Sequence, residues 1–131
     1  ADLVIGSRFM ASVDKSGYQS NFFRDIGNTF LNRYISLLAG QKISDVTTGM
    51  KAWLKRSIWS VQFKDNRFVY EMEIVLRSAR KGFRIMQVPV AYASRKGGAS
   101  GHGTGLGELC SIARTGFMIA FRALLIRLKL W

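Results

Sequence analysis

The chain has 131 residues and a formal charge of +12, from 20 Lys and Arg against 8 Asp and Glu. An apolar share of 48% excludes a disordered polar tail, and the length suits one domain rather than two. One Cys (Cys110) and one His (His102) exclude an intramolecular disulfide, a multi-cysteine zinc site and an all-histidine metal site.

The charge is uneven. From Arg77 onward ten basic residues face Glu108 alone, whereas the ten before it face seven acids. A basic half of this kind suits nucleic acid, an anionic membrane surface or a phosphorylated substrate. Asp2 and Arg8 interrupt the first apolar run, so no secretory leader is expected. No window reads as the roughly 20 nearly uncharged apolar residues of a membrane span.

In chain order, Leu3-Val4-Ile5 predicts a short buried strand followed by Gly6-Ser7-Arg8. It is either a terminal edge strand or a strand of a larger domain that the chain enters partway. Residues 11–20 read as a loop. Ser20 or Asn21 caps a helix with Phe23, Ile26, Phe30, Tyr34, Leu37 and Leu38 at three- and four-residue spacing. Asn28, Asn32 and Arg33 fall on its other faces, and Gly40 suits its end. Residues 43–53 read as strand and loop, with Gly49 supplying a positive φ or an open backbone. A short helix is expected from about Lys55 to Val61.

The stretch Tyr70–Lys81 has a helical pattern at Met72, Val75, Leu76 and Ala79, ended by Gly82. Arg84–Ala93 reads as a strand with Ile85, Val88, Val90 and Tyr92 as apolar positions. Pro89 restricts it to an edge, a bulge or its end. Six glycines in residues 94–107 predict a mobile loop. A long helix from about Leu106 to Leu130 completes the chain. One arc carries Glu108, Ser111, Arg114, Thr115, Arg122 and Lys129, the other Cys110, Ala113, Phe117, Phe121, Leu124 and Leu128. Arg127 breaks this pattern. The order is strand, helix, strand, helix, helix, strand, helix. That is an α/β pattern with an incomplete-looking three-stranded sheet.

Several residues have both a structural and a chemical reading. Asp45, ahead of Thr47-Thr48-Gly49, is a turn-forming loop residue or a cleft carboxylate that orients a hydroxyl, acts as a base or binds a metal. Glu71 and Glu73 point in different directions on a helix, as a solvated helix start or as one site carboxylate. Arg8 follows a strand at the end where α/β sheets place ligands, and its fork suits a phosphate. Arg24 and Lys51 are weaker versions of that case. Arg95-Lys96-Gly97-Gly98 is either a solvated linker or a phosphate-binding lid, and it lacks the P-loop spacing. His102 lies in the same loop. The last helix either packs on the sheet or lies on a membrane, with Trp131 at interfacial depth.

The ordered segments resemble family 2 glycosyltransferases, most of all the polyprenyl-phosphate sugar synthases of the dolichyl-phosphate mannose type. Asp2 to Arg8 resembles the strand after the family's metal-binding acidic motif. Arg24 to Asn28, with Asn32, resembles its Arg- and Asn-bearing helix. Ser44 to Lys51 resembles the Asp-x-Thr-x-Gly-Phe-Arg segment, with Met50-Lys51 in place of Phe-Arg. Phe68 to Glu73, with Ala79 to Phe83, resembles the helix that carries a signature Glu. Gln87 to Tyr92, with Arg95, Gly98 and Ser100, resembles the Val-Pro strand and its lid. The likeness covers about residues 2–102.

The resemblance implies the C-terminal part of a GT-A mixed sheet with flanking helices. Residues 1–105 would form the acceptor-side half with a glycine-rich lid, and 106–131 a basic amphipathic helix. Asp45 and Glu73 would be the catalytic carboxylates. Arg8, Arg24, Lys51, Arg95 and Ser100 would hold phosphates, and Gly97, Gly98 and His102 would belong to the lid. His102 stands where Lys is more common. The family also implies Mg2+ or Mn2+, but its Asp-x-Asp ligands do not occur in this chain.

The implied reaction is attack by a lipid phosphate oxygen on the sugar C1, with a nucleoside diphosphate leaving. The implied partners are a nucleotide-sugar donor, a polyprenyl phosphate acceptor, an anionic membrane at the cytoplasmic face and an N-terminal half of the domain. The 131 residues alone are expected to be inactive. Alternatives are a carbohydrate or other lipid acceptor, a non-catalytic basic module for anionic lipid or nucleic acid, and a scaffold that has lost turnover. No RNA-binding aromatic signature or recognition helix supports nucleic acid.

Overall fold

Leu3–Ser7 forms strand β1, in which Leu3, Ile5, Gly6 and Ser7 are all buried. The computed structural model describes residues 1–10, 12, 22–64, 68–91 and 105–130. β1 lies between two partners rather than at an edge, so the terminal-edge reading is corrected. Strand β2, Lys51–Trp53, pairs with it antiparallel, and strand β3, Ile85–Pro89, pairs with it parallel. The three-stranded sheet is therefore mixed, with order β2-β1-β3. Pro89 ends β3, which is an outer strand, as a residue without an N–H requires.

Gly6 allows the close packing of this sheet. A Cβ there would lie 2.9 Å from Val90 Cγ1 and 3.0 Å from Met50 Cβ. Gly6→Ala therefore overpacks the centre of the sheet and is expected to lower stability by about 1–3 kcal/mol. An unchanged urea midpoint would contradict this account.

Helix α1 spans Phe22–Ala39, α2 spans Lys55–Trp59, α3 spans Phe68–Arg80 and α4 spans Gly105–Arg127. The three long helices end in the same way. After α1 and α3, Gly40 and Gly82 take φ values of 70° and 71°. Gln41 N–H then returns to Ser36 O, and Phe83 N–H to Ser78 O. After α4, Lys129 takes φ 63° and Leu130 N–H returns to Leu125 O.

One core unites the elements. Leu3 and Ile5 of β1 join Leu31 and Ile35 of α1, Met72, Val75 and Leu76 of α3, and Ile119, Ala123 and Ile126 of α4. α4 packs against both α1 and α3, so it shares one core with them and with β1.

Two apolar faces differ from the periodic reading. α1 turns Leu31 and Ile35 inward and leaves Phe23, Ile26, Phe30 and Leu37 more than half exposed. α4 buries Ile119, Ala123 and Ile126 and exposes the arc that contains Phe117 and Phe121. Both helices are apolar on more than one side, so periodicity alone does not select the packed face. α4 also corrects the reading that no segment can span. Leu109–Arg127 is long and apolar enough to cross a membrane by length and composition.

Candidate functional site

Ser7 and Arg8 stand at the carboxyl end of β1, and Val90 follows β3 at the same end of the sheet. Residues 41–50 pass beside this end without regular structure, so their backbone polar groups need side-chain partners. Ser36 Oγ accepts Ile43 N–H at 2.8 Å. Gln87 Oε1 accepts Ser44 N–H at 2.7 Å, while Gln87 Nε2 donates to Lys42 O at 2.7 Å. Asn32 Oδ1 accepts Val46 N–H at 2.9 Å, and its Nδ2 donates to Ser44 O at 2.8 Å. Ser44 Oγ lies 2.7 Å from Ser7 Oγ and from Gln87 Oε1.

Asn28, Asn32 and Ser36 recur every four residues and form one polar ridge of α1 that faces this segment. Arg24 stands one turn earlier on the same ridge, half-buried. Asn32→Ala removes both of its bonds at once. It is expected to cost about 2–3 kcal/mol, because two backbone groups of the loop lose their partners. Urea unfolding checks it, and a loss below about 0.5 kcal/mol would reject the clamp.

This framework presents Asp45 to Arg8. Asp45 is fully buried, and its Oδ2 accepts Arg8 Nε at 2.7 Å and Arg8 backbone N–H at 3.0 Å. Its Oδ1 accepts Arg8 Nη2 at 2.8 Å, which completes a two-pronged pair. Arg8 Nη2 also donates to Thr47 Oγ1 at 3.0 Å, and Thr47 Oγ1 lies 3.4 Å from Asn28 Oδ1. Asp45 thus fixes the guanidinium that stands at the carboxyl end of the central strand.

Lys51 lies beside this pair. Its ammonium donates to Val46 O at 3.2 Å, to Thr48 O and to Glu71 Oε2 at 2.6 Å. Only 1% of the Lys51 side chain is exposed, against 29% for Glu71. Burial holds the Lys51 pKa below its ordinary 10.5, although the Glu71 hydrogen bond opposes that shift. Lys51 is therefore an internal brace rather than an open phosphate contact. Gly49 does not take a positive φ, and a Cβ there would meet Glu71 Oε1 at an ordinary 3.8 Å.

Of the two helix carboxylates, Glu71 joins this cluster and Glu73 does not. Glu73 is fully buried, accepts Lys64 N–H at 3.0 Å and pairs with Arg77 Nε at 2.6 Å. Two residues apart on α3, the carboxylates diverge onto different faces. The i+4 spacing of Glu73 and Arg77 was a visible signal for that pairing. Arg95, Gly97, Gly98, Ser100 and His102 lie outside the described residues.

The donor set does not make a cation site. Among the described residues, no group of three or more His, Cys, Asp or Glu converges, and both Asp45 oxygens already bind Arg8. Beside the cluster runs a groove of about 750 Å³ lined by Phe9, Asn28, Asn32, Arg33, Leu37 and Lys42, among others. It combines apolar walls with two cations.

The chain is 26% identical over 135 residues to the undecaprenyl-phosphate mannosyltransferase of Micrococcus luteus, covering 99% of this chain and 55% of that one. It is 32% identical over 71 residues to a dolichyl-phosphate hexose transferase of Haloferax volcanii, covering 54% of this chain and 31% of the relative. It is 25% identical over 103 residues to the polyprenol monophosphomannose synthase of Mycolicibacterium smegmatis, covering 76% and 38%. These homologues agree with the resemblance to polyprenyl-phosphate sugar synthases read from the sequence. The chain spans about a third to a little over half of their lengths. No family model and no solved structure matches it.

Proposed function

We propose that this chain is the acceptor-side half of a GT-A glycosyltransferase that moves a sugar from a nucleotide-sugar donor to a polyprenyl phosphate, at the cytoplasmic face of a membrane. The observation that carries the proposal is Arg8, held by the buried Asp45 at the carboxyl end of β1. Ligands of open α/β sheets bind outside that end. The homologues are named for transfer involving polyprenyl phosphates.

In the transfer, an acceptor phosphate oxygen forms the bond to the sugar C1. The bond from C1 to the diphosphate breaks, and its electron pair leaves with the nucleoside diphosphate. The acceptor is ionised at neutral pH, so the reaction asks for charge stabilisation more than for a base. Arg8 supplies a cation whose orientation is set before substrate arrives. Asp45 then acts as the positioning residue for Arg8, since both of its oxygens are engaged. That occupancy argues against a carbohydrate acceptor activated by Asp45 as base.

Arg24 extends the polar ridge toward the same substrate. β3 runs parallel to β1, so Val90 and Ala91 after it lie on the Arg8 side of the sheet, and Arg95 and Ser100, which follow them in sequence, are assigned to the lid by the resemblance. The donor nucleotide and its metal belong to the N-terminal half of the domain, and the 131 residues alone do not turn over.

The test is transfer of labelled sugar from a nucleotide to polyprenyl phosphate by the full-length parent. Arg8→Ala is expected to lower turnover at least about tenfold, with only partial rescue by Arg8→Lys, which has the charge without the fork. Transfer at the parental rate in Arg8→Ala would reject this assignment. Transfer to a free sugar but not to the lipid phosphate would reject the acceptor class.

A further inference from the structure

Glu71 uses one carboxylate oxygen and leaves the other open. The Lys51 ammonium carries three hydrogens, and it donates to Val46 O, Thr48 O and Glu71 Oε2. It has none left for Glu71 Oε1, and that oxygen has no hydrogen-bond partner among the described residues. Asp45 and Glu73 differ in this respect. Both are fully buried, and both have their two oxygens engaged. The Glu71 side chain is 29% exposed.

The open oxygen stands at the ligand end of the sheet. Lys51 begins β2, which runs antiparallel to β1, and Met50 O accepts Gly6 N–H at 2.8 Å. Residues 49–51 therefore lie at the end of β1 that presents Arg8. Gly49 is exposed, and a Cβ built there would be 3.8 Å from Glu71 Oε1. With only hydrogen in that place, the oxygen is open from the Gly49 side.

Charge sorts what each group can receive. A carboxylate oxygen accepts hydrogen bonds, repels phosphate and suits a neutral hydroxyl. The Arg8 guanidinium has the opposite preference. A nucleotide sugar carries both complements in one molecule, a diphosphate joined at C1 to a ring of hydroxyls.

We propose that Glu71 Oε1 accepts one ring hydroxyl of the transferred sugar and so selects neutral hexoses over uronic acids. The proposal rests on the transfer reading above and adds the residue that faces the sugar. Lys51 is the positioning residue for Glu71, since it fixes the carboxylate through Oε2.

The test uses the full-length parent and a set of nucleotide hexoses, each lacking one hydroxyl, together with the matching nucleotide uronate. Release of the nucleoside diphosphate is followed with polyprenyl phosphate present and with water alone. One deoxy compound and the uronate are each expected to lose about tenfold or more in kcat/KM. Glu71→Gln keeps an oxygen for Lys51 and turns an amide N–H toward the sugar. It is expected to narrow both ratios to within about threefold of unity. Gly49→Ser leaves the Lys51–Glu71 pair intact and sets a hydroxyl beside Oε1. It should lower kcat/KM for the complete hexose and add no further loss for the deoxy compound. Equal use of every deoxy compound by the parent would overturn the proposal. So would undiminished ratios in Glu71→Gln or, if that variant does not fold, in Gly49→Ser. A parent that cleaves the nucleotide sugar without glycosylating polyprenyl phosphate fails the acceptor reading alone, because the ratios are still read from cleavage. A parent that cleaves none of them would overturn both.

Discussion

Asp45→Ala should destabilise the chain by about 3 kcal/mol. The substitution leaves Arg8 and its backbone N–H without the carboxylate that accepts three of their hydrogen bonds. Removing one partner of a buried ion pair costs about 3–5 kcal/mol. The lower end applies because 19% of the Arg8 side chain remains exposed to solvent. Asp45→Asn, which keeps the shape and loses the charge, should cost about half as much. Adding Arg8→Ala to Asp45→Ala should cost less than the sum of the single changes, because no cation is then stranded. Urea unfolding of the two single variants and the double variant measures this coupling. Strict additivity, or an Asp45→Ala loss below about 0.5 kcal/mol, would show that the pair does not organise the site.

Lys51→Met is the second large effect, at about 2–4 kcal/mol. It withdraws the ammonium from two loop carbonyls and from Glu71 within a nearly closed environment. The pH dependence gives a separate check. Burial lowers the folded-state pKa of Lys51 below 10.5, so the unfolded chain binds more protons in the interval between the two values. Stability contributed by this group therefore rises with pH through that interval, and the burial penalty is fully present below it. The parent chain should gain stability relative to Lys51→Met as the pH rises toward 10.5, with the other lysines cancelling in the comparison. A difference that shrinks over this range would reverse the sign and reject the buried-ammonium account.

Together with the Asn32 clamp, these effects describe a loop built almost wholly on side-chain partners. The periodic reading of α1 placed Asn28 and Asn32 on its other faces because it ranked positions by apolar spacing. The four-residue recurrence of Asn28, Asn32 and Ser36 was nevertheless in the sequence. It marked the face that had to satisfy an irregular backbone rather than fill a core. Gln87 gave no comparable signal, since nothing local tells a strand glutamine that it will meet Ser44 and Lys42. The separation of Glu71 from Glu73 followed from helical geometry, but which of them meets Lys51 depended on how α3 is rotated against β2.

Local physics determined much of this protein from sequence. Gly40 and Gly82 set helix ends because they enter the left-handed region without a Cβ penalty. Pro89 limited the strand it closes, and seven elements appeared in the expected order. The excess of cations, a net charge of +12, narrowed the expected partners to anionic ones before any site was known. The tertiary structure alone decided which apolar stripe of α1 and of α4 is packed, that β1 is central, and that Asp45 is spent on Arg8. Those outcomes depend on partners 37 or more residues away, such as the Arg8–Asp45 pair and the Ser44–Gln87 contact. A stripe, a carboxylate or a strand edge has no inside or outside until such a partner arrives.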